Sequence, residues 1–374
     1  MKKVIIIYST AGMGHKKAAM ALLKSFQERV KDTVEVKAID LLEYSSGLYR
    51  FLYTTFYIFL ISRTKWLWGA MYYFTNNPFV DAAIRKMRDA TDARNLKKLE
   101  GMLLEESPDA IVATHFLLPG ISGSLRSHKA FRSRIYAVVT DYGPHSYWLS
   151  PYVDRYFVGS DSASLEMEKR GIPPEKLTVT GIPTMKEFSG EFNTQEVQKT
   201  YGLDSQRKTI FLLSGGFGVG PMGKILVSLN SCRSEIQVIA VCGHNETVFR
   251  NLQILKDQLD YPLILIGYTD KIAELMSVSD LMVTKAGGIS VTEALNARLP
   301  MILFASVPGQ ETWNEQLLVG GGASEKAASV DDIPVMADRI LLSQDACERL
   351  KAGIEKIRRP DAAKEIVDIV SSEI

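Results

Sequence analysis

Short apolar runs alternate along this chain with longer stretches of helical period. The run KKVIIIY at Lys2–Tyr8 is apolar on both faces, as a buried parallel strand requires. A glycine loop follows, STAGMGHKK over 9–17, then a helical pattern over 18–30 and a second strand over 34–39 that ends at Asp40. A strand, a glycine loop, a helix and a strand predict an open parallel sheet, with ligands at the carboxyl ends of its strands. Further strands are expected at 109–114, 135–140, 153–158 and 177–180, with a mixed-charge amphipathic helix at 85–106. The polar stretch 190–205 reads as a linker. The opening pattern then restarts: a strand at 209–213, the glycine loop SGGFGVGPMG at 214–223, and a helix over 224–229. Strands at 237–242, 262–266, 281–284 and 301–304 and a helical tail over 333–374, broken at Pro360, complete the pattern. The fold class is α/β, and 374 residues suit two domains.

The stretch SDLMVTKAGGISVTEALN, 279–296, joins a strand to a helix through Gly287 and Gly288. Ser290 reads as an N-cap with Glu293 at the capping-box position. Helix N–H groups at such a turn can hold a diphosphate, and Glu293, one turn in, can accept both hydroxyls of a ribose. Gly218, Gly220 and Gly223 satisfy G-x-G-x-x-G, but the next strand ends in Gly243-His244-Asn245 rather than in an acid, which disfavours NAD. Tyr268 is placed to stack on a base, and Gln310 with Glu311 to fork onto the vicinal hydroxyls of a sugar. His15 starts the first helix beside Gly12 and Gly14, and Asp141 and His145 follow the strand at 135–140. All three are candidate catalytic residues, although a lone histidine at a helix start is more often a capping or packing group.

Residues 44–80 change the picture. They hold 13 of the chain's 34 aromatic residues, no acid, and the cations Arg50, Arg63 and Lys65. The apolar run within them, 51–61, is too short to span a bilayer, which needs about 20 residues. Aromatics beside cations suit a segment lying in a membrane interface, with Phe51, Trp66 and Trp68 as its anchors. The competing reading is a helical pair in the core or at a homodimer contact. Arg126, Lys129, Arg132 and Arg134 form a second cationic stretch, fit for anionic head groups or for a solvated face. A net charge of +1 argues against a nucleic-acid partner. Three scattered cysteines point to a reducing, cytoplasmic setting, and the opening apolar run is too short for a signal peptide.

Six motifs in order, AGMGHKKAA (11–19), VTDYGPHSYW (139–148), TGIP (180–183), SGGFGVGPM (214–222), KAGGISVTEAL (285–295) and PGQE (308–311), resemble one glycosyltransferase family. It is the family-28 type that contains plant monogalactosyldiacylglycerol synthases and bacterial processive diacylglycerol glucosyltransferases. The N-acetylglucosaminyltransferase that makes lipid II is a more distant likeness. The resemblance implies a GT-B fold: two Rossmann-like domains facing across a cleft, with a C-terminal helix crossing back to the first. It implies an acceptor- and membrane-binding domain over 1–190, a UDP-sugar domain over 205–350 and the returning helix over 351–374.

In that family an inverting enzyme moves glucose or galactose from a UDP-sugar to diacylglycerol or a glycosyldiacylglycerol at an anionic membrane surface. The implied base is His15, with Asp141 and His145 nearby. Gly287, Gly288 and Ile289 would meet the diphosphate of the donor, Glu293 the ribose, Tyr268 and Thr269 the base, Gln310 and Glu311 the sugar, and Lys285 would also bind the UDP-sugar. Gly14, Gly215 and Gly216 would border the donor. No DxD-type motif stands in a plausible site loop, so neither a metal nor another cofactor is expected. Ala11 and Ala286 stand where many relatives carry glycine and proline, which implies altered loop stiffness rather than lost binding. The alternatives are a transferase using a polyprenyl-linked or soluble acceptor, a UDP-GlcNAc epimerase, and a non-catalytic nucleotide-sugar or lipid-binding protein.

Overall fold

The computed structural model describes residues 1–56, 59–60, 63–215 and 220–374. They form two compact units. The first comprises Met1–Lys186, Pro308–Trp313 and Arg359–Ile374; the second comprises Glu187–Val307 and Asn314–Arg358.

The first unit is built on a six-stranded parallel sheet: β1 (Lys2–Tyr8), β2 (Val34–Asp40), β3 (Ala110–Ala113), β4 (Arg134–Val138), β5 (Arg155–Val158) and β6 (Leu177–Val179), in the order β2-β1-β3-β4-β5-β6. Val4–Ile7 are fully buried because helices cover both faces. The first helix, Met13–Arg29, packs with Ala362–Glu373 on one face. There Ile366, Val367 and Val370 join Val4, Ile6 and Leu22 in one core cluster. Each such side chain stabilises by roughly 1.5–3 kcal/mol. Polar ties fix the same helix: Arg29 grips Asp368 at 2.6 and 2.8 Å, and Glu373 accepts from Arg155 and from the Tyr136 hydroxyl. The C-terminal helix thus belongs to the first sheet, and the chain returns there at Arg359 rather than at 351.

The second unit has the order β12-β11-β10-β7-β8-β9, from β7 (Lys208–Leu213), β8 (Ile236–Val241), β9 (Leu263–Ile266), β10 (Leu281–Thr284), β11 (Met301–Leu303) and β12 (Ser324–Lys326), all parallel. Counted within its own unit this is the 6-5-4-1-2-3 order of dinucleotide-type sheets. In each unit the first strand lies next to a later one at a switch in strand order, between β1 and β3 and between β7 and β10. Ligands of such sheets bind outside the carboxyl ends at that switch.

Several expectations change. The expected linker at 190–205 contains a helix, Thr194–Tyr201, capped by Asn193 and ended by Gly202 at φ +65°. The single helix expected at 85–106 is two, Pro78–Asn95 and Lys97–Glu106, parted at Leu96. The tail breaks twice, at Ser343 and around Pro360.

Candidate active site

At the first switch point, β1 runs into a loop tied down by its own polar groups. Thr10 donates its hydroxyl to Asp40 at the end of β2 (2.6 Å), and Ala11 N–H donates to Ser9 Oγ (3.1 Å). The helix that follows starts at Met13, which puts His15 in its first turn, over the end of β3. His15 Nδ1 lies 2.7 Å from the Thr114 carbonyl oxygen and 3.0 Å from Thr140 Oγ1. A carbonyl only accepts, so Nδ1 carries the hydrogen and Nε2 keeps its lone pair. No hydrogen-bond partner for Nε2 exists among the described residues. Gly12 borders that edge of the ring: a Cβ there would lie 3.1 Å from Cδ2 and 3.6 Å from Nε2. Burial lowers the imidazole pKa to about 4, against the opposing pull of the Thr114 carbonyl. At neutral pH the ring is therefore an unprotonated base with one open nitrogen.

His145 is built differently. Its Nδ1 accepts the Tyr147 N–H (3.1 Å), capping a short helical turn, so Nε2 carries the hydrogen toward the Tyr72 carbonyl (3.3 Å) and Thr75 Oγ1 (3.2 Å). Both nitrogens are engaged, and burial lowers this ring too to about 4. The geometry makes His145 a strut between the turn after β4 and helix Lys65–Thr75. Asp141 follows Thr140 directly in that turn, and its charge is felt at the Tyr72 phenol. Gly14 lies in the first turn beside His15. Thr114, Thr140 and His115 are not among the residues the sequence singles out, yet a signal exists: Thr114 and His115 follow β3, which flanks the switch point, and Thr140 follows its neighbour β4.

At the second switch point, helix Gly288–Asn296 starts two residues before Ser290, and Gly287 is its N-cap, without a side-chain cap bond. The capping box expected from Ser290 and Glu293 is therefore absent, because Ser290 is already inside the helix. The first-turn N–H groups, from Gly288 and Ile289 onward, thus receive no side-chain cap from Gly287, an arrangement that can hold an anion. Ala286 explains its own identity: its N–H reaches Ser306 Oγ (3.4 Å), a bond proline cannot make, and its carbonyl accepts from Asn314 (2.9 Å). Lys285 lies across Gly215, which has φ +70° and whose Cβ would meet Lys285 Cε at 3.1 Å. A small pocket here is lined by Ser214, Gly220, Lys285, Phe304 and Ala305. Gly216 and Gly218 lie outside the described residues. Glu293 is buried one turn into the helix.

After β9, Tyr268 is exposed and stacks flat on His244 from the end of β8, centroids 4.1 Å apart at 17°. Thr269 Oγ1 accepts the Lys271 N–H (3.0 Å). Gln310 and the buried Glu311 group with the first unit, not the second, because Pro308 packs against Gly69 and Gly309 against Tyr72. The expected donor residues thus come from both units.

The 44–80 segment exposes Phe51 and Trp66 but not Trp68, which is half-buried. Residues 57, 58, 61 and 62 of this segment lie outside the described residues. Among described residues, no helix is long and apolar enough to cross a membrane. The second cationic stretch is partly spent internally: Arg126 pairs with Asp154 and Arg134 with Glu373.

Two parallel-sheet units, one carrying a buried base and one an uncapped helix N-terminus, make the parts of a GT-B glycosyltransferase. Comparison with known proteins narrows this. The family described as monogalactosyldiacylglycerol (MGDG) synthase matches residues 15–184, and the glycosyltransferase family 28 C-terminal domain matches 222–365. The chain is 30% identical to a processive diacylglycerol beta-glucosyltransferase of Bacillus cytotoxicus and 31% identical to one of Bacillus cereus, each over 99% of this chain and 94% of the relative. It belongs to that glycosyltransferase family. The crystal structure of MurG from Acinetobacter baumannii shares the fold at a TM-score of 0.62 and 13% identity, over 100% of both chains.

Proposed function

We propose that this protein transfers glucose from UDP-glucose to diacylglycerol or a glucosyldiacylglycerol, with inversion, while lying on the anionic inner face of the cell membrane. The observation that carries the chemistry is the open, unprotonated Nε2 of His15. The acceptor hydroxyl attacks the anomeric carbon on the face opposite UDP and gives its proton to that nitrogen. The bond from carbon to the diphosphate oxygen breaks, its electrons leave with UDP, and an α-linked donor yields a β-glucoside. The N–H groups at Gly288 and Ile289 and the Lys285 ammonium offset the charge on the departing diphosphate. In this reading Glu293 takes the ribose hydroxyls, Tyr268 and Thr269 the base, and Gln310 and Glu311 the sugar. Asp141 stands beside the base, and His145 braces the turn that carries it. The names of the relatives in Bacillus support glucose over galactose.

The membrane reading rests on exposure. Of twenty large apolar side chains exposed among the described residues, eleven lie between residues 48 and 87. Helix Pro78–Asn95 turns Asp81 and Asp92 inward and Phe79 and Met87 outward, the reverse of a helix facing water. The test is to incubate the purified chain with labelled UDP-glucose or UDP-galactose and diacylglycerol in anionic mixed micelles. A β-glucosyldiacylglycerol by mass spectrometry and NMR is expected. UDP binding without turnover on any lipid, or transfer only to a polyprenyl-linked or soluble acceptor, would overturn the proposal.

A further inference from the structure

The chemistry above uses one of two histidines that meet at the end of β3. His115 is almost completely buried and faces His15, ring centroids 4.5 Å apart and planes at 76°. Its own ring is held twice. Nδ1 accepts the Leu117 N–H (3.3 Å), and one face stacks on Phe116, centroids 4.2 Å apart at 28°. Phe116 in turn abuts Tyr53, Tyr147 and Trp148. His115 is therefore a fixed wall, while His15 is anchored only at Nδ1. A ring held at one nitrogen can still swing about that contact, and the swing displaces Nε2, the atom that must meet the acceptor hydroxyl. At the Cδ2–Nε2 edge of the His15 ring stands Gly12, which presents no side chain. His115 sets a ring held at two points against the ring of His15.

We infer that His115 is a positioning residue for the base, its ring fixing the His15 imidazole at right angles so that Nε2 stays aimed at the acceptor hydroxyl. This rests on the transfer reaction proposed above. The proposal needs the ring, not the nitrogens: a flat aromatic of the same outline supports His15, and an aliphatic group of similar volume does not. Burial holds His115 neutral, and the neighbouring His15 pushes in the same direction, so the wall adds no charge to the site.

Two variants separate the ring from everything else. His115→Phe and His115→Leu both fill the space and both lose the acceptor for the Leu117 N–H, so any difference between them reports the ring. With UDP-glucose and diacylglycerol micelles, His115→Phe should keep kcat within about threefold of wild type. His115→Leu should lose about 10–10²-fold in kcat, the scale of an ångström-level misplacement, with KM for UDP-glucose unchanged. A second measurement is independent of turnover. With ¹⁵N-labelled histidine, the His15 signals in wild type and in His115→Phe should report hydrogen on Nδ1 alone, whereas His115→Leu should show averaging between the two nitrogens. Equal kcat in the Leu and Phe variants, or an unchanged His15 spectrum in His115→Leu, would overturn the positioning role. If wild type itself makes no glycolipid, the functional reading fails, and the spectra still decide the geometry.

Discussion

At the scale of single residues, the proposed transfer depends on one nitrogen being free and uncharged. His15→Ala should cost about 10²–10⁴-fold in kcat, the usual contribution of a general base, with UDP affinity by calorimetry near wild type because the residues proposed to hold the nucleotide lie on other elements. Gly12→Ala should act on the same step more mildly. Its backbone (φ −138°, ψ 126°) suits any residue, but the new Cβ at 3.1 Å would push the His15 ring by a few tenths of an ångström. The pH behaviour follows from burial. With a folded pKa of about 4, activity should be level through neutral pH and fall on the acid side as His15 protonates near 4. Stability should move with it. His15 and His145 drop from 6.5 to about 4 on folding, so the unfolded chain binds more protons between those values. Their contribution is complete above about 6.5 and shrinks as pH falls toward 4. Asp92, raised by burial to about 6, works in the opposite sense over 3.8–6. Three lowered histidines, His115 included, against two acids raised by burial, Asp92 and Asp89, make net acid destabilisation the expected result, read as a falling melting temperature below pH 6.5.

At the scale of elements, what was legible was period and order. The apolar runs located every strand of both sheets except β12, where Ser324–Lys326 carries no apolar signature, and the doubled glycine loops marked both switch points. Cap chemistry was not legible in the same way. Ser290 and Glu293 spell a capping box, yet the helix opens at Gly288, because Gly287 and Gly288 cost nothing sterically there and Ile289 and Val291 bury their side chains from the first turn. Nor does a sequence say which histidine has a free nitrogen; that depended on carbonyls of Thr114 and Tyr72 far away in the chain. The element-scale prediction concerns Glu293, carried one turn into this helix. If its carboxylate holds the ribose, Glu293→Gln should weaken UDP binding by roughly 1.5–3 kcal/mol, the loss of a charged hydrogen bond, or about tenfold and more in Kd. Calorimetry giving an unchanged Kd in a folded variant removes the ribose assignment.

At the scale of the whole molecule, the distribution of apolar surface is lopsided, and hydrophobic burial alone does not explain it. A helix facing water buries its apolar stripe; Pro78–Asn95 buries Asp81 and Asp92 instead. Asp81 is held there by Arg85 and Arg88, and Asp92 accepts the Tyr49 hydroxyl at 2.6 Å. Burying acids costs free energy unless they are paired, so the inward face is a hydrogen-bonded scaffold and the outward face is left to Phe79 and Met87. Phe51 and Trp66 extend the same apolar exposure, with no acid within residues 44–80 to repel an anionic surface. Arg50 donates to the carbonyls of Leu42 and Glu43 and keeps its charge, since no carboxylate takes it. Under the proposed function these features would serve as an interfacial anchor of rings plus cations, each cation contributing about 1 kcal/mol at an anionic bilayer. The anchor test uses Phe51, Trp66 and Phe79, which are 50%, 74% and 87% exposed, rather than the half-buried Trp68. Their joint replacement by serine removes mainly exposed surface, so melting temperature and UDP affinity should stay near wild type. Flotation with anionic vesicles should drop sharply, and for wild type it should weaken as salt screens the cations and be poorer with neutral lipid. Turnover on micellar diacylglycerol should fall through KM for the lipid, with kcat for a soluble short-chain acceptor retained. If the triple variant floats as well as wild type, or wild type ignores lipid charge and salt alike, these side chains face another protein surface, such as a second copy of this chain, and sedimentation should then show wild type as a dimer and the variant as a monomer.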